Sequence, residues 1–157
     1  MYIRQFSDAD AEEVSNLGCR NFREVNIRDY PADEMARLVE SYSAEKIRTL
    51  ASSAHMYVAC DGDIVIGTGS ITGYWGSETE SVLLTIFVLP EYQRKGIGSR
   101  IVQALESDGY FLRASRIEIP ASITACEFYI LIKMGYCFKG GKKELDDEGH
   151  CKMEKFR

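Results

Sequence analysis

Between positions 93 and 99 the chain reads QRKGIGS, two cations followed by two glycines one residue apart. Residue types in that order suit a phosphate group. Glycine lets backbone N–H groups approach a ligand without a Cβ in the way. A helix opening at such a turn adds about half a positive charge at its N-terminus, aimed at the same point. The neighbouring residues supply the strand and the helix. An apolar run, Ile86-Phe87-Val88-Leu89, ends at Pro90, and beyond the glycines Ile97, Ile101 and Leu105 recur at helical spacing. A strand therefore feeds a short basic turn that opens a helix. The usual nucleotide fingerprints, GxGxxG directly after a strand and GxxxxGK[ST], are both absent.

Gln93, Gly96 and Gly98 satisfy [QR]-x-x-G-x-[GA] behind the triplet Val88-Leu89-Pro90. Strand, proline, turn and helix together resemble the pyrophosphate-binding segment of the GNAT superfamily of acyl-CoA-dependent N-acetyltransferases. A second segment, Ser122-Ile123-Thr124-Ala125-Cys126-Glu127-Phe128-Tyr129 with Gly135-Tyr136 behind it, resembles that family's N-x-x-A-x-x-[FL]-Y…G-[FY] helix. Ala125, Phe128, Tyr129, Gly135 and Tyr136 match. Ser122 stands where asparagine is usual and lacks the amide's paired donor and acceptor. It reads equally as a cofactor contact and as a helix N-cap.

The resemblance implies an α/β (α+β) fold in which residues 1–157 form one domain, a mixed, mostly antiparallel sheet of six to seven strands flanked by helices. It implies transfer of an acetyl group from acetyl-CoA to a primary amine, a small cationic amine or a protein amine, by direct attack. Ile86, Phe87 and Val88 are then expected to pair with the pantetheine amides as an added strand does. Gln93, Arg94, Lys95, Gly96, Ile97, Gly98 and Ser99 are expected around the pyrophosphate. The N–H of Phe87 or Val88 is the expected oxyanion donor. Tyr129 is the expected general acid, since a phenol with a pKa of about 10 is protonated at neutral pH. The family's frequent central-strand carboxylate falls on Val82. Glu80 is the candidate base, with Glu78 and Glu118 as alternatives; each also reads as a solvated surface charge. Cys126 has no histidine suggested beside it to activate a covalent route, which favours direct transfer. A non-catalytic acyl-CoA-binding sensor or partner module is the alternative. Relatives of this type often form homodimers.

The whole chain agrees with these expectations. Its 157 residues suit one domain with a real core, and 45% hydrophobic with 27% charged residues is an ordinary globular composition. No apolar run approaches the ~20 residues of a membrane helix, and the charged N-terminus lacks a signal-peptide core, so a cytoplasmic protein is expected. The net charge of −5 argues against nucleic acid, which needs a basic face, and favours a cationic acceptor. Five cysteines without a CxxC pair suggest neither a disulfide framework nor a zinc knuckle. His55 and His150 are too few and too far apart for a metal site, and no metal is expected.

Along the chain, residues 2–6 read as a strand. Ser7 to Asp10 reads as a capping box before a helix with Ala11, Val14, Leu17 and Gly18 on one side, extended irregularly by Phe22, Val25 and Ile27. Pro31 begins a second helical region with Met35, Leu38 and Val39, and Ser43 caps a third with Ile47 and Leu50. These helices form a lid over an acceptor pocket or a layer over one sheet face. Residues 55–60 and 64–73 flank the turn Asp61-Gly62-Asp63 as a hairpin. Gly67, Gly69 and Gly73 inside it mark a bulge or close packing. Residues 81–88 read as a central strand buried on both faces. Residues 116–119 read as a strand stopped by Pro120, 122–134 as a helix with Gly135 at its C-cap, and 136–139 with 151–156 as a last strand pair. The joining loop carries Glu144, Asp146, Asp147 and Glu148. It reads as an acceptor-attracting loop or as a solvated hairpin end.

Overall fold

The computed structural model describes residues 1–123 and 131–157. It places β1 (Tyr2–Gln5), β2 (His55–Asp61), β3 (Ile64–Gly73), β4 (Glu80–Val88), β5 (Arg116–Ser122), β6 (Cys137–Phe138) and β7 (His150–Phe156) in one sheet. The order is β1-β2-β3-β4-β5-β7-β6. Every adjacent pair is antiparallel except β4 with β5, which run parallel.

Alternation along the strands builds a core on each face. On β2 and β3, Val58 and Val65 point to one side and Ala59 and Ile66 to the other. The first side is covered by α1 (Ala11–Glu24), α2 (Ala32–Ser41) and α3 (Ala44–Ser53) through Val14, Leu17, Met35 and Ile47. The second is covered by α4 (Ile97–Glu106) and α5 (Gly109–Arg113) through Ile101, Leu105 and Phe111. Glycine decides how closely α4 sits. A Cβ on Gly67 would lie 2.8 Å from Ile101 Cδ1, and one on Gly69 would lie 2.6 Å from Ile101 Cγ2. The predicted close packing of these glycines is what the sheet uses.

Local signals start the helices as their residues imply. The Ser7 backbone N–H donates to Asp10 Oδ2 at 2.8 Å, and the two terminal guanidinium nitrogens of Arg4 grip the same carboxylate. Ser43 Oγ accepts from the Lys46 N–H at the start of α3. Past α1 the chain makes only a short 3₁₀ turn, Asn26–Arg28.

Three expectations change. β5 does not stop at Pro120 but runs to Ser122, because it is paired with β4 only as far as Glu118. From there Pro120 lies on a strand with one side open, where a missing N–H is tolerated. The last strand pair is shorter on one side, since left-handed Gly140 and Gly141 turn the chain away just past β6. The third concerns β4. Only Ser81, Val82 and Leu83 are buried; the strand is half-exposed from Leu84 onward.

Candidate active site

The exposure of β4 begins at a bulge. Thr68 pairs with Phe87 and Ser70 with Leu84, so Thr85 and Ile86 together oppose Gly69. Thr85 takes a φ of 51°, an uncommon value for a β-branched residue. Ser70 holds it there: its Oγ lies 2.7 Å from Thr85 Oγ1 and donates to the Leu84 carbonyl at 3.1 Å. On the other side, β4 stays paired with β5 only over Glu80–Val82 against Arg116–Glu118. Beyond that the two strands separate, and a cavity of about 690 Å³ opens between them.

Its floor is Leu83 to Val88 on one side and Ile119 to Ser122 on the other. Phe22, Met35, Leu38 and Tyr42 of the α1–α2 region form an apolar wall, so these helices both cover the sheet and line the cavity. Tyr30 ties the top together. Its hydroxyl donates to the Gly149 carbonyl at 2.6 Å and accepts from the Ile123 N–H at 2.9 Å. Burial pushes its pKa above the ordinary tyrosine value. Gly149 permits this contact, since a Cβ there would meet the Tyr30 ring at 2.9 Å. The charged side chains in the lining, among the described residues, are Glu34, Asp147 and Glu148, with His150 beside them; no lysine or arginine is present.

At the far end of β4 lies the glycine turn. After the short 3₁₀ turn Pro90–Tyr92, Arg94 and Gly96 adopt left-handed conformations and α4 starts at Ile97. The N–H groups of residues 94–99 have no acceptor among the described residues. A Cβ built on Gly96 or Gly98 would meet nothing within 4 Å. Open space faced by unmet donors at a helix N-terminus fits a diphosphate.

The side chains of this segment divide sharply. Arg94 and Lys95 are exposed, with Lys95 Nζ over the Tyr92 ring. Ile97 is buried in the core, so only its main chain faces the turn. Gln93 turns inward: its Nε2 donates to Asn21 Oδ1 and to the Val88 carbonyl, both at 3.1 Å. Asn21 Nδ2 donates to that same carbonyl at 3.0 Å. The Gln93 amide group therefore anchors the turn to α1 and the end of β4 rather than facing a phosphate. Both lone pairs of the Val88 carbonyl are occupied.

Glu80 and Glu118, two of the base candidates, sit elsewhere. Glu80 pairs with Arg116 at 3.4 Å. Glu118, 2% exposed, bonds Arg116 Nη2 at 2.8 Å and Lys139 Nζ at 2.9 Å. Burial works against its charge, yet these two cations hold its pKa below the ordinary glutamate value. Glu154 completes the cluster on Arg116 at 2.8 Å. None of these lines the cavity, and exposed Glu78 does not either. Ser122 does, but as the last residue of β5 paired with His150, not as the first of a helix. Tyr129, with Ala125, Cys126 and Phe128, lies outside the described residues.

Two buried side-chain atoms lack a hydrogen-bond partner among the described residues, Tyr42 Oη and His150 Nδ1, and both residues line this cavity. Tyr42 is 8% exposed and its ring packs edge-on against Phe22 and Phe87. Burial raises its pKa well above the tyrosine norm, so its hydroxyl keeps its proton. No motif marks Tyr30, Tyr42 or His150; they meet only through the fold.

The sequence profile of the acetyltransferase (GNAT) family matches residues 19–136. The chain belongs to that family. GNAT enzymes use acetyl-CoA. Solved structures share the architecture. The PaiA N-acetyltransferase of Thermoplasma acidophilum, in complex with coenzyme A, is 20% identical over 99% of this chain and 98% of its own, with a TM-score of 0.80. A GCN5-related N-acetyltransferase from Rhodopseudomonas palustris is 19% identical over 99% and 95%, with a TM-score of 0.79. An aminoglycoside 6'-N-acetyltransferase complexed with coenzyme A is 16% identical over 99% and 97%, with a TM-score of 0.70. No curated protein matches the chain. Among the described residues, no helix is long and apolar enough to cross a membrane, and no cluster of His, Cys, Asp and Glu is arranged to hold a metal.

Proposed function

We propose that this GNAT protein transfers an acetyl group from acetyl-CoA to a primary amine on a cationic acceptor. The observation that carries this reading is the cavity beside the bulged strand, with unmet N–H donors at one end and an acidic rim at the other. Donors from residues 94–99 hold the diphosphate, with Gly96 and Gly98 giving it room. The separated half of β4 receives the pantetheine arm along Ile86 to Val88, using groups other than the occupied Val88 carbonyl. A main-chain N–H of Phe87 or Val88 stabilises the oxyanion. Glu34, Asp147 and Glu148 attract a positively charged acceptor. Tyr129 gives its proton to the departing CoA sulfur. Cys19, Cys60, Cys137 and Cys151 are free thiols, in keeping with a cytoplasmic setting.

The test is thiol release from acetyl-CoA with a panel containing a diamine, an aminoglycoside and a lysine peptide. Release should require an amine and be fastest with a polycation. Tyr129→Phe should lower kcat about 100-fold with acetyl-CoA affinity unchanged; equal turnover removes that role. A second reading, a non-catalytic acyl-CoA-binding module, draws on apolar Val82 and on the distance of Glu80 and Glu118 from the cavity. Tight CoA binding without release to any amine would favour it.

A further inference from the structure

Building on the acetyl-transfer reading, we propose that His150, which lines the cavity, takes the proton from the acceptor amine. Strand register places it. β5 and β7 pair Ser122 with His150, Pro120 with Lys152 and Glu118 with Glu154, so these six side chains share one sheet face. The intervening residues Ile117, Ile119, Cys151 and Met153 are buried in the core under α4. His150 therefore faces the α1–α2 side, at the acidic end of the cavity.

The ring has the bonding vacancy a base needs. Nδ1 is shielded from water and has no hydrogen-bond partner among the described residues. With the ring proton on this shielded Nδ1, the Nε2 lone pair is free to accept another. Glu148 Oε2 lies 3.7 Å from Nδ1, too far for a hydrogen bond but near enough to balance an imidazolium. Histidine is also the side chain whose charge changes most readily near neutrality.

The other titratable groups at this end are committed or misplaced. The Tyr30 hydroxyl is engaged with Gly149 and Ile123. Asp146 Oδ1 accepts the backbone N–H groups of Glu148 and His150. Asp147 and Glu148 are exposed to water. Lys152 lies further along the same face, two residues from His150 on β7. Glu34 of α2 is the rival.

The protons balance. The ammonium acceptor gives one proton to Nε2, and the neutral amine forms the C–N bond at the thioester carbonyl. As the C–S bond breaks, the nitrogen loses its surplus proton and the sulfur gains one, relayed by the Tyr129 phenol. The imidazolium then returns its proton to water. Acetyl-CoA and an ammonium ion become an amide, CoA thiol and one proton.

The experiment compares kcat/KM against pH for the full-length wild type, His150→Gln, His150→Ala and Glu34→Gln, using the best amine of the panel. The wild type should show an acidic limb. In His150→Gln that limb should disappear, with turnover at neutral pH down about 100-fold and the KM for acetyl-CoA unchanged. Added imidazole should restore activity to His150→Ala, which a purely structural role for the ring would not allow. An unaltered limb in His150→Gln, or a limb that vanishes only in Glu34→Gln, overturns the proposal and leaves acetyl transfer intact. A wild type that acetylates no amine overturns both.

Discussion

The two ends of the β4–β5 pair follow opposite rules. At the lower end, Glu80, Glu118 and Glu154 surround Arg116, with Lys139 on Glu118, and each of these carboxylates has a cation in reach. At the upper end the strands have parted. There Tyr42 Oη and His150 Nδ1 are buried without a partner, and the N–H groups of residues 94–99 have nothing to donate to among the described residues. Both ends carry ionisable residues, but those of the lower end are paired with one another and none of them lines the cavity. Unmet bonding capacity, rather than charge density, separates a site from a structural cluster.

That contrast can be broken from either end. The largest effect is expected at the lower one. Glu118→Gln removes a buried carboxylate from two cations and should cost about 3 kcal/mol in urea unfolding, with acetyl-CoA affinity unchanged. Glu118 has its pKa lowered in the folded protein. Its stabilisation is therefore complete above the ordinary glutamate pKa of about 4.3 and is lost as pH falls through the lower folded value. The gap between wild type and variant should close in acid. A gap that widens in acid would mean that the ion pairs contribute nothing.

At the upper end, Gly96→Glu places bulk and negative charge in the space facing the free N–H groups. Calorimetry should find acetyl-CoA binding weakened about 100-fold, corresponding to the loss of one or two charge-assisted hydrogen bonds. Normal binding by the folded variant would show that the diphosphate sits elsewhere. The smallest effect sharpens the comparison most. Tyr42→Phe deletes a hydroxyl that has no partner among the described residues, so the ligand-free protein should unfold at the same or slightly higher urea concentration. Acetyl-CoA affinity should nonetheless drop about fivefold, the equivalent of a hydrogen bond of about 1 kcal/mol. Lower stability with unchanged affinity would turn Tyr42 from a ligand contact into a packing residue.

Much of the fold was legible because it is written in short-range patterns. The Ser7–Asp10 cap, the Ser43 cap, the Gly62 turn and the alternation in β2 and β3 each involve residues only a few positions apart. The glycine turn was legible for the same reason, since the N-terminus of α4 and its left-handed Gly96 are local features. Side-chain roles were less so. Gln93 belongs to a phosphate-binding pattern by spacing, but Asn21 of α1 decides where its amide group goes. Glu80 and Glu118 resembled free carboxylates until the parallel pairing of β4 with β5 set Arg116 beside them.

The order of residues by itself determined the strand–turn–helix that presents main-chain donors, because conformational preference and hydrophobic period act over a few neighbours. Only the tertiary structure decided which polar atoms would be satisfied. Tyr30 reaches Gly149 across 119 positions, and Gly67 and Gly69 let α4 close on one face while the Thr85 bulge opens the other. Whether a hydroxyl or a ring nitrogen is left without a partner depends on every element that folds around it, and no local pattern carries that information.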